Sequence, residues 1–325
     1  MNTRSIGWGI LGPGKIARKF AADLARLDDA ALVAVGSRSQ QRAMAFAETY
    51  GAQRAYDSYA ALMQDADVDV VYIATPHPFH HAQTTDVLRH GKAVLCEKPM
   101  AVNARQVQEM IDVARAEGQF LMEAMWTRFL PVIDTVRAWL EEGRIGEVRM
   151  LSADFGFRGP WAPEERWLNP ELAGGALLDV GVYTVAFAEM VFGQAPTAVQ
   201  ALAHIGETGV DEQTAMVLGY PGGALAQLSC AVRTDTPGLA TISGTKGTIT
   251  IPHFWEAPSA TLEVKGAEPI QITGESGYHY QAVEVMRCLR AGALESDVIS
   301  LDASLSIART MDDARDRIGL RYPME

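Results

Sequence analysis

Cysteine is scarce in this sequence: Cys96, Cys230 and Cys288 are three in 325 residues, far apart and odd in number. That pattern builds neither a disulfide framework nor a thiolate zinc site, and it predicts three reduced thiols in packed surroundings. Long apolar runs are missing too. No stretch approaches the ~20 uninterrupted apolar residues of a spanning helix. The start, Met1 to Ile6, runs into a strand-like segment without the apolar core of a signal peptide. A cytoplasmic chain with no membrane partner is expected. Positive charge is also short, with 28 Lys and Arg against 40 Asp and Glu, a net −12. Such a surface repels phosphate backbones and anionic lipid, so nucleic acid is not an expected partner. Any anion the chain binds needs a site built locally.

What is present is an ordinary globular composition, 48% hydrophobic and 21% charged. The length exceeds a comfortable single core of roughly 250–300 residues, so two domains are expected, 1–123 and 124–325. The first alternates short apolar runs with helical periodicity: Ile6–Leu11, Ala17–Leu27, Ala31–Val35, Arg42–Tyr50, Val68–Ala74, Phe79–His90, Ala93–Cys96 and Val102–Glu117. This βαβ grammar predicts an α/β, doubly wound parallel sheet of Rossmann type, with a ligand crevice at the strand C-termini. After Glu123 a helix near Val132–Glu142 gives way to β-rich runs separated by Gly, Pro and Asp: Val148–Phe157, Ala198–Ala203, Thr214–Gly219, Ala224–Ala231, Thr248–Ile251 and Thr261–Val264. That half is predicted to be α+β with a largely antiparallel sheet. Helical patterns at Tyr280–Arg290 and Ala303–Arg317 close the chain and suit packing on either domain.

The first predicted strand runs into Gly12-Pro13-Gly14-Lys15-Ile16-Ala17, a G-x-G-x-x-A sequence at the entry to a helix. Glycines there allow a tight turn and close backbone approach to a pyrophosphate, whose charge suits the helix N-terminus. The second strand ends in Gly36-Ser37-Arg38, with Arg42 one turn on, where an NAD site would carry Asp or Glu for the ribose 2′-hydroxyl. Ser37, Arg38 and Arg42 suit a 2′-phosphate, so NADP(H) is the expected cofactor and NAD(H) the weaker ligand. Thr75-Pro76-His77 follows another strand and is expected to line the nicotinamide ribose. His77, His80 and His81 are equally explained as helix-entry residues, and they lack metal-ligand spacing, so no metal is expected.

Glu97-Lys98-Pro99 delivers a lysine to the same crevice, able to steady a substrate oxygen or relay a proton. In Gly174-Gly175-Ala176-Leu177-Leu178-Asp179-Val180-Gly181-Val182-Tyr183, Asp179 and Tyr183 stand at i and i+4, on one face of a helix. Alone, Asp179 reads as a helix cap and Tyr183 as a core aromatic. Trp126, Phe155, Trp161 and Trp167 suit the walls of a pocket for a sugar or an aromatic diol, and suit packing as well.

The G-x-G-x-x-A start, Glu97-Lys98-Pro99, the segment 174–183 and Gly244-Thr245-Lys246-Gly247-Thr248 together resemble the Gfo/Idh/MocA oxidoreductase family over essentially the whole chain. Within it, Glu123-Ala124-Met125-Trp126-Thr127-Arg128-Phe129 and the tyrosine at 183 resemble the dimeric dihydrodiol dehydrogenase branch, which also oxidises D-xylose with NADP. The resemblance implies an open-faced antiparallel sheet used for homodimerisation, a sugar, polyol or diol substrate, and catalysis by Lys98, Asp179 and Tyr183. Thr75-Pro76-His77 departs from the Asn-containing loop frequent in the family. Two other readings stay open at this level: a non-catalytic NADP-binding sensor of the same fold, and a ketosugar reductase.

Overall fold

The computed structural model describes residues 4–325. Met1, Asn2 and Thr3, where the reading of the chain's start begins, lie outside the described residues. The chain divides into two compact units. The first holds the chain up to Ala101, Arg105–Trp126 and Gly277–Leu301, and the second Val102–Ala104, Thr127–Ser276 and Asp302–Glu325.

In the first unit, six parallel strands lie in the order β3-β2-β1-β4-β5-β6: β1 (Ile6–Leu11), β2 (Ala30–Gly36), β3 (Arg54–Tyr56), β4 (Val70–Ile73), β5 (Ala93–Glu97) and β6 (Leu121–Ala124). β4 and β5 are buried along their whole length, which is why they read as continuous apolar runs rather than alternating ones. The order reverses between β1 and β4, and that switch point opens a crevice beyond the strand C-termini. Helix α1 (Lys15–Leu24) turns Ala17, Phe20, Ala21 and Leu24 inward at helical spacing. Phe20 stacks on Tyr72 of β4 at 4.0 Å between ring centres. The three-residue edge strand β3 is shorter than a periodicity can declare, and in β6 Glu123 interrupts the apolar run.

Helix α2 (Gln40–Tyr50) follows β2, α3 (Tyr59–Met63) follows β3, α4 (His80–Arg89) follows β4, and α5 (Ala104–Glu117) precedes β6. Of the closing helices, α8 (His279–Ala291) belongs to this first unit. Arg290 pairs with Asp29 at 2.8 Å, and the Tyr278 N–H, just before α8, donates to Asp23 of α1 at 2.6 Å. All but the first residue of α9 (Leu301–Ile318) belongs to the second unit.

The second unit is an eight-stranded sheet in the order β14-β13-β12-β11-β7-β10-β9-β8. Its strands are β7 (Val148–Gly156), β8 (Ala198–Ile205), β9 (Asp211–Gly219), β10 (Leu225–Ala231), β11 (Leu239–Gly244), β12 (Gly247–Pro252), β13 (Ser259–Val264) and β14 (Ile270–Thr273). Every neighbouring pair is antiparallel except β7 and β10. One face, with Leu151, Met216, Leu228 and Cys230, is buried, and α7 (Val182–Phe192) packs on β7 and β10. The other face leaves Met150, Leu202, Val217 and Leu225 exposed, Leu202 by 82%. Near the far edge, α6 (Pro131–Glu141) lies against β13.

The stretch Pro170–Phe192 qualifies that expectation about membrane spans. It is long and apolar enough to cross a membrane, but 78% of its most apolar window is buried inside the structure, so it is a core element here. All three cysteines are buried and unbridged.

The second core also holds a carboxylate that the sequence does not mark. Asp211, at the start of β9, is fully buried, and burial raises its pKa to about 7 although Thr214 and Leu177 donate hydrogen bonds to it. An unfolded Asp titrates near ~4. The folded chain therefore holds this proton more tightly, and the associated stability is fully present below pH ~4 and lost as pH rises through 7. Urea unfolding from pH 5 to 8 should show the parent losing stability relative to the isosteric Asp211→Asn variant, the gap levelling off above pH 7. A pH-independent difference between the two would contradict this.

Candidate active site

The first cluster lies along the C-terminal edge of the parallel sheet. Gly12 leaves β1 with φ +85°, and a Cβ there would sit 2.8 Å from the Thr75 side chain and 3.2 Å from the Ala74 carbonyl oxygen. Only glycine fits that conformation and that approach. The Gly12 N–H donates to the Gly36 carbonyl at 3.1 Å, and Gly14 opens α1 with no side-chain cap. The first-turn N–H groups of Lys15, Ile16 and Ala17 thus face the crevice without a capping oxygen, a cradle whose donors and lack of side chains fit a pyrophosphate. Ala17 is fully buried beneath it, where a larger residue would lift α1 off the sheet.

Beside this cradle the turn after β2 is built by serines. The buried Ser37 hydroxyl accepts from the Ser39 N–H at 3.2 Å, and Ser39 caps α2 by accepting from the Arg42 N–H. The Arg38 guanidinium lies 5.9 Å from the centre of the Phe79 ring, a cation–π contact that holds a flexible side chain at the crevice. Arg38 and Arg42 both act electrostatically on Tyr59, whose phenol pKa is nevertheless raised because burial outweighs them. The two arginines suspected from sequence thus come together. Phe79 and Tyr59, which shape their surroundings, carried no signal beyond being aromatic.

The loops after β4 and β5 are tied to each other. His80 sets Nε2 2.7 Å from the Thr75 carbonyl oxygen and Nδ1 2.9 Å from that of Pro99. It is the helix-entry residue the sequence allowed and also a brace between the Thr75-Pro76-His77 loop and the Lys98 loop. His77 is buried against it, and the Thr75 hydroxyl donates to Gln83 at 2.6 Å. Glu97, expected among the cofactor contacts, is buried, with the Tyr72 hydroxyl and the Lys98 N–H both donating to it. It anchors the loop that carries Lys98. The Lys98–Pro99 peptide is cis. Trp126 stacks on Tyr278 at 4.6 Å.

The second cluster lies in the other unit. The turn Leu177–Gly181 is wound as a π-helix and passes into α7 at Val182. A regular α-helical i, i+4 face for Asp179 and Tyr183 is therefore corrected: one turn between them is wider, as found often at functional sites. Asp179 and Tyr183 are 4% and 8% exposed. Arg166, which the sequence reading missed, grips Asp179 in a two-pronged ion pair, Nη1 to Oδ1 at 2.7 Å and Nη2 to Oδ2 at 2.9 Å. Such a pair stabilises the ionised carboxylate and makes it a poor proton acceptor. The Tyr183 ring lies 5.4 Å from Phe155, and Phe155 stacks flat on Trp255 at 3.7 Å, giving an aromatic platform beside the phenol. Trp255 lies in the turn after β12 and escaped the reading because it sits outside every motif. Trp161 is exposed with Arg233 over its ring, and Trp167 donates to the Pro160 carbonyl at 3.4 Å. The structure brings Phe155 to Tyr183, whereas Trp161 lies beneath Arg233 and Trp167 meets the edge of Phe157 at 6.5 Å.

Comparison with known proteins adds a lineage to this geometry. Residues 6–125 match the profile of an oxidoreductase family with an NAD-binding Rossmann fold, and residues 133–250 match the GFO/IDH/MocA C-terminal domain. Trans-1,2-dihydrobenzene-1,2-diol dehydrogenases from Xenopus tropicalis and Mus musculus are each 40% identical, covering 97% and 99% of this chain and 99% of their own. Among solved structures, an aldose-aldose oxidoreductase from Caulobacter crescentus complexed with glycerol superposes with a TM-score of 0.89 at 27% identity, over 97% of both chains. A 3-ketoreductase from Actinomadura kijaniata in complex with NADP and TDP-benzene gives 0.87 at 26%, over 97% of this chain and 98% of its own.

Proposed function

The chain belongs to the Gfo/Idh/MocA oxidoreductase family, and from that premise we propose an NADP(H)-dependent dehydrogenase acting on a CH–OH group of a sugar, polyol or diol. The observation that carries the proposal is the glycine cradle at an uncapped helix start with Arg38, rather than an acid, at the end of β2. The names of its relatives support it: the frog and mouse proteins are dihydrodiol dehydrogenases, and the ketoreductase was solved with NADP. Gly12, Gly14 and the N–H groups of Lys15, Ile16 and Ala17 would hold the pyrophosphate, and Ser37, Arg38 and Arg42 the 2′-phosphate. Thr75, Pro76, His77 and the Glu97–Lys98 loop would line the nicotinamide side. NADP, when bound, supplies the hydride acceptor.

The protein's own part is to place the alcohol and take its proton. Oxidising CH–OH to C=O releases a hydride from carbon and a proton from oxygen, and Tyr183 in its phenolate form accepts the proton and becomes the phenol. A free phenol near pKa ~10 is almost wholly protonated at neutral pH and so a poor proton acceptor, and the Lys98 ammonium is proposed to favour the phenolate. Asp179, held ionised by Arg166, orients the substrate hydroxyl. The Phe155–Trp255 platform offers a flat apolar surface to a sugar C–H face or a diol ring. Reduction of a ketone is the same chemistry run backwards.

Two chains are proposed to pair through the uncovered sheet face that carries Met150, Leu202, Val217 and Leu225, giving a two-fold homodimer. Light scattering at micromolar protein should return twice the chain mass; a monomer would end that reading.

NADPH should bind at least about tenfold more tightly than NADH, a difference of roughly 1.4 kcal/mol, and Arg38→Ala should erase most of it. Fluorescence titration of both nucleotides measures this, and equal affinities in the parent protein would refute the assignment of Arg38.

Tyr183→Phe should slow turnover by about 10²–10⁴-fold, the usual worth of a positioned acid or base, with NADPH affinity nearly unchanged. Lys98→Met should do similar damage. If the two act as one unit, the double variant is little worse than the worse single one. Steady-state assays over aldoses, polyols and diols provide the measurement, and near-normal turnover by Tyr183→Phe would remove the phenol from the chemistry.

A further inference from the structure

The turn Gly174–Gly175 opens the segment that carries Asp179 and Tyr183, and it is held from two sides by residues to which the proposed chemistry assigns no role. On one side stands Asp211, fully buried at the start of β9, whose Oδ2 accepts from the Leu177 N–H at 2.8 Å and from the Thr214 hydroxyl at 2.7 Å. On the other, the hydroxyl of buried Tyr322 donates to the Gly174 carbonyl at 2.6 Å. Gly175 permits the approach of Asp211, and Gly174 the close packing of the turn on the Arg166 backbone. A Cβ on Gly175, whose φ is +113°, would lie 2.1 Å from Asp211 Oδ1, and a Cβ on Gly174 would lie 2.5 Å from the Arg166 carbonyl oxygen.

The rest of the turn is equally committed. The Gly174 and Gly175 N–H groups donate to the carbonyls of Asn169 and Trp167, and the Asp179 N–H returns to Gly175 at 3.2 Å. The turn therefore packs against the backbone that carries Arg166, so whatever fixes it fixes Asp179 and its partner arginine together. Tyr322 is itself locked in place. Arg315 lies 5.4 Å from its ring centre and pairs with Asp312 and Glu325, each at 2.7 Å, while Glu325 accepts the Tyr322 N–H at 3.0 Å. A fully buried carboxyl group with one oxygen set against a bare glycine is a costly way to cap a turn if stability were its only purpose.

We propose that Asp211 and Tyr322 are positioning residues, a two-sided clamp on Gly174–Gly175 that sets the start of the π-wound turn and through it the placement of Asp179 and Tyr183. The proposal rests on the reading that those two residues carry the chemistry. Displacement of a reacting group by about 1 Å costs on the order of 10²-fold in rate, so a turn start that slips is expressed in turnover rather than in cofactor affinity.

The test uses the whole chain with NADP(H) and the best alcohol substrate. Tyr322→Phe, which removes one hydrogen bond without changing shape, and Asp211→Ala should each lower kcat by about tenfold or more while leaving the Kd for NADPH within about twofold. Asp211→Asn keeps an acceptor for Leu177 and Thr214 and should stay within about threefold of the parent. Combined with Tyr183→Phe, neither damaging change should add to the loss that Tyr183→Phe causes alone. Amide exchange over residues 177–183 should quicken in Asp211→Ala and Tyr322→Phe and not in Asp211→Asn. Parental kcat in folded variants, additive losses, or unchanged exchange would overturn the clamp. Should Asp211→Ala fail to fold, Tyr322→Phe decides alone. If Tyr183→Phe by itself keeps turnover, the functional reading falls, and the exchange data still judge the clamp: quickened exchange sustains it and unchanged exchange ends it.

Discussion

Buried carboxylic side chains that accept backbone N–H groups from neighbouring loops and turns hold the chemistry-bearing segments in place. Glu97 takes the Lys98 N–H, Glu123 the Met100 N–H at 3.0 Å, and Asp211 that of Leu177. Where the carboxylate is ionised such a hydrogen bond contributes about 1.5–3 kcal/mol, roughly twice a neutral one, and its direction is fixed by the carboxylate plane. The cost is desolvation, visible in the raised pKa of Asp211. Part of the acidic excess of this chain is therefore structural and points inward.

That acidity also frames how an anionic dinucleotide is held. A net charge of −12 offers no general attraction, so binding depends on donors collected at one spot. In the proposed function, backbone N–H groups at the start of α1 would supply one part at no side-chain entropy cost, and Arg38, steadied on Phe79, would supply another. The strand order of the parallel sheet brings the turns after β1, β2, β4 and β5 to one edge.

In the second unit the same economy serves a different purpose. The π-wound turn, the Arg166–Asp179 ion pair and the Phe155–Trp255 stack put a buried carboxylate and a buried phenol beside a flat aromatic surface. The fold alone hosts many activities; the specific claim rests on these side chains.

Much of this was legible in the chain. The first strand, the G-x-G-x-x-A turn, the arginine in place of an acid and the parallel grammar of the first half follow from local pattern, because hydrophobic period, glycine freedom and charge type act over a few residues. The assignment of α8 to the first unit, some 150 residues after β6, did not, since its amphipathic face fits either domain and only packing against α1 decided it. The same limit hid Arg166, Trp255, Asp211 and Tyr322. Each is an unremarkable residue in its own neighbourhood and gains a role from a partner that is 13 to 148 residues away for Arg166, Asp211 and Tyr322, and 100 for Trp255. Local sequence determined which elements form and which residue types stand at their ends. Tertiary structure decided which of those ends meet, because burial and hydrogen-bond geometry are properties of the assembled core and not of any one segment.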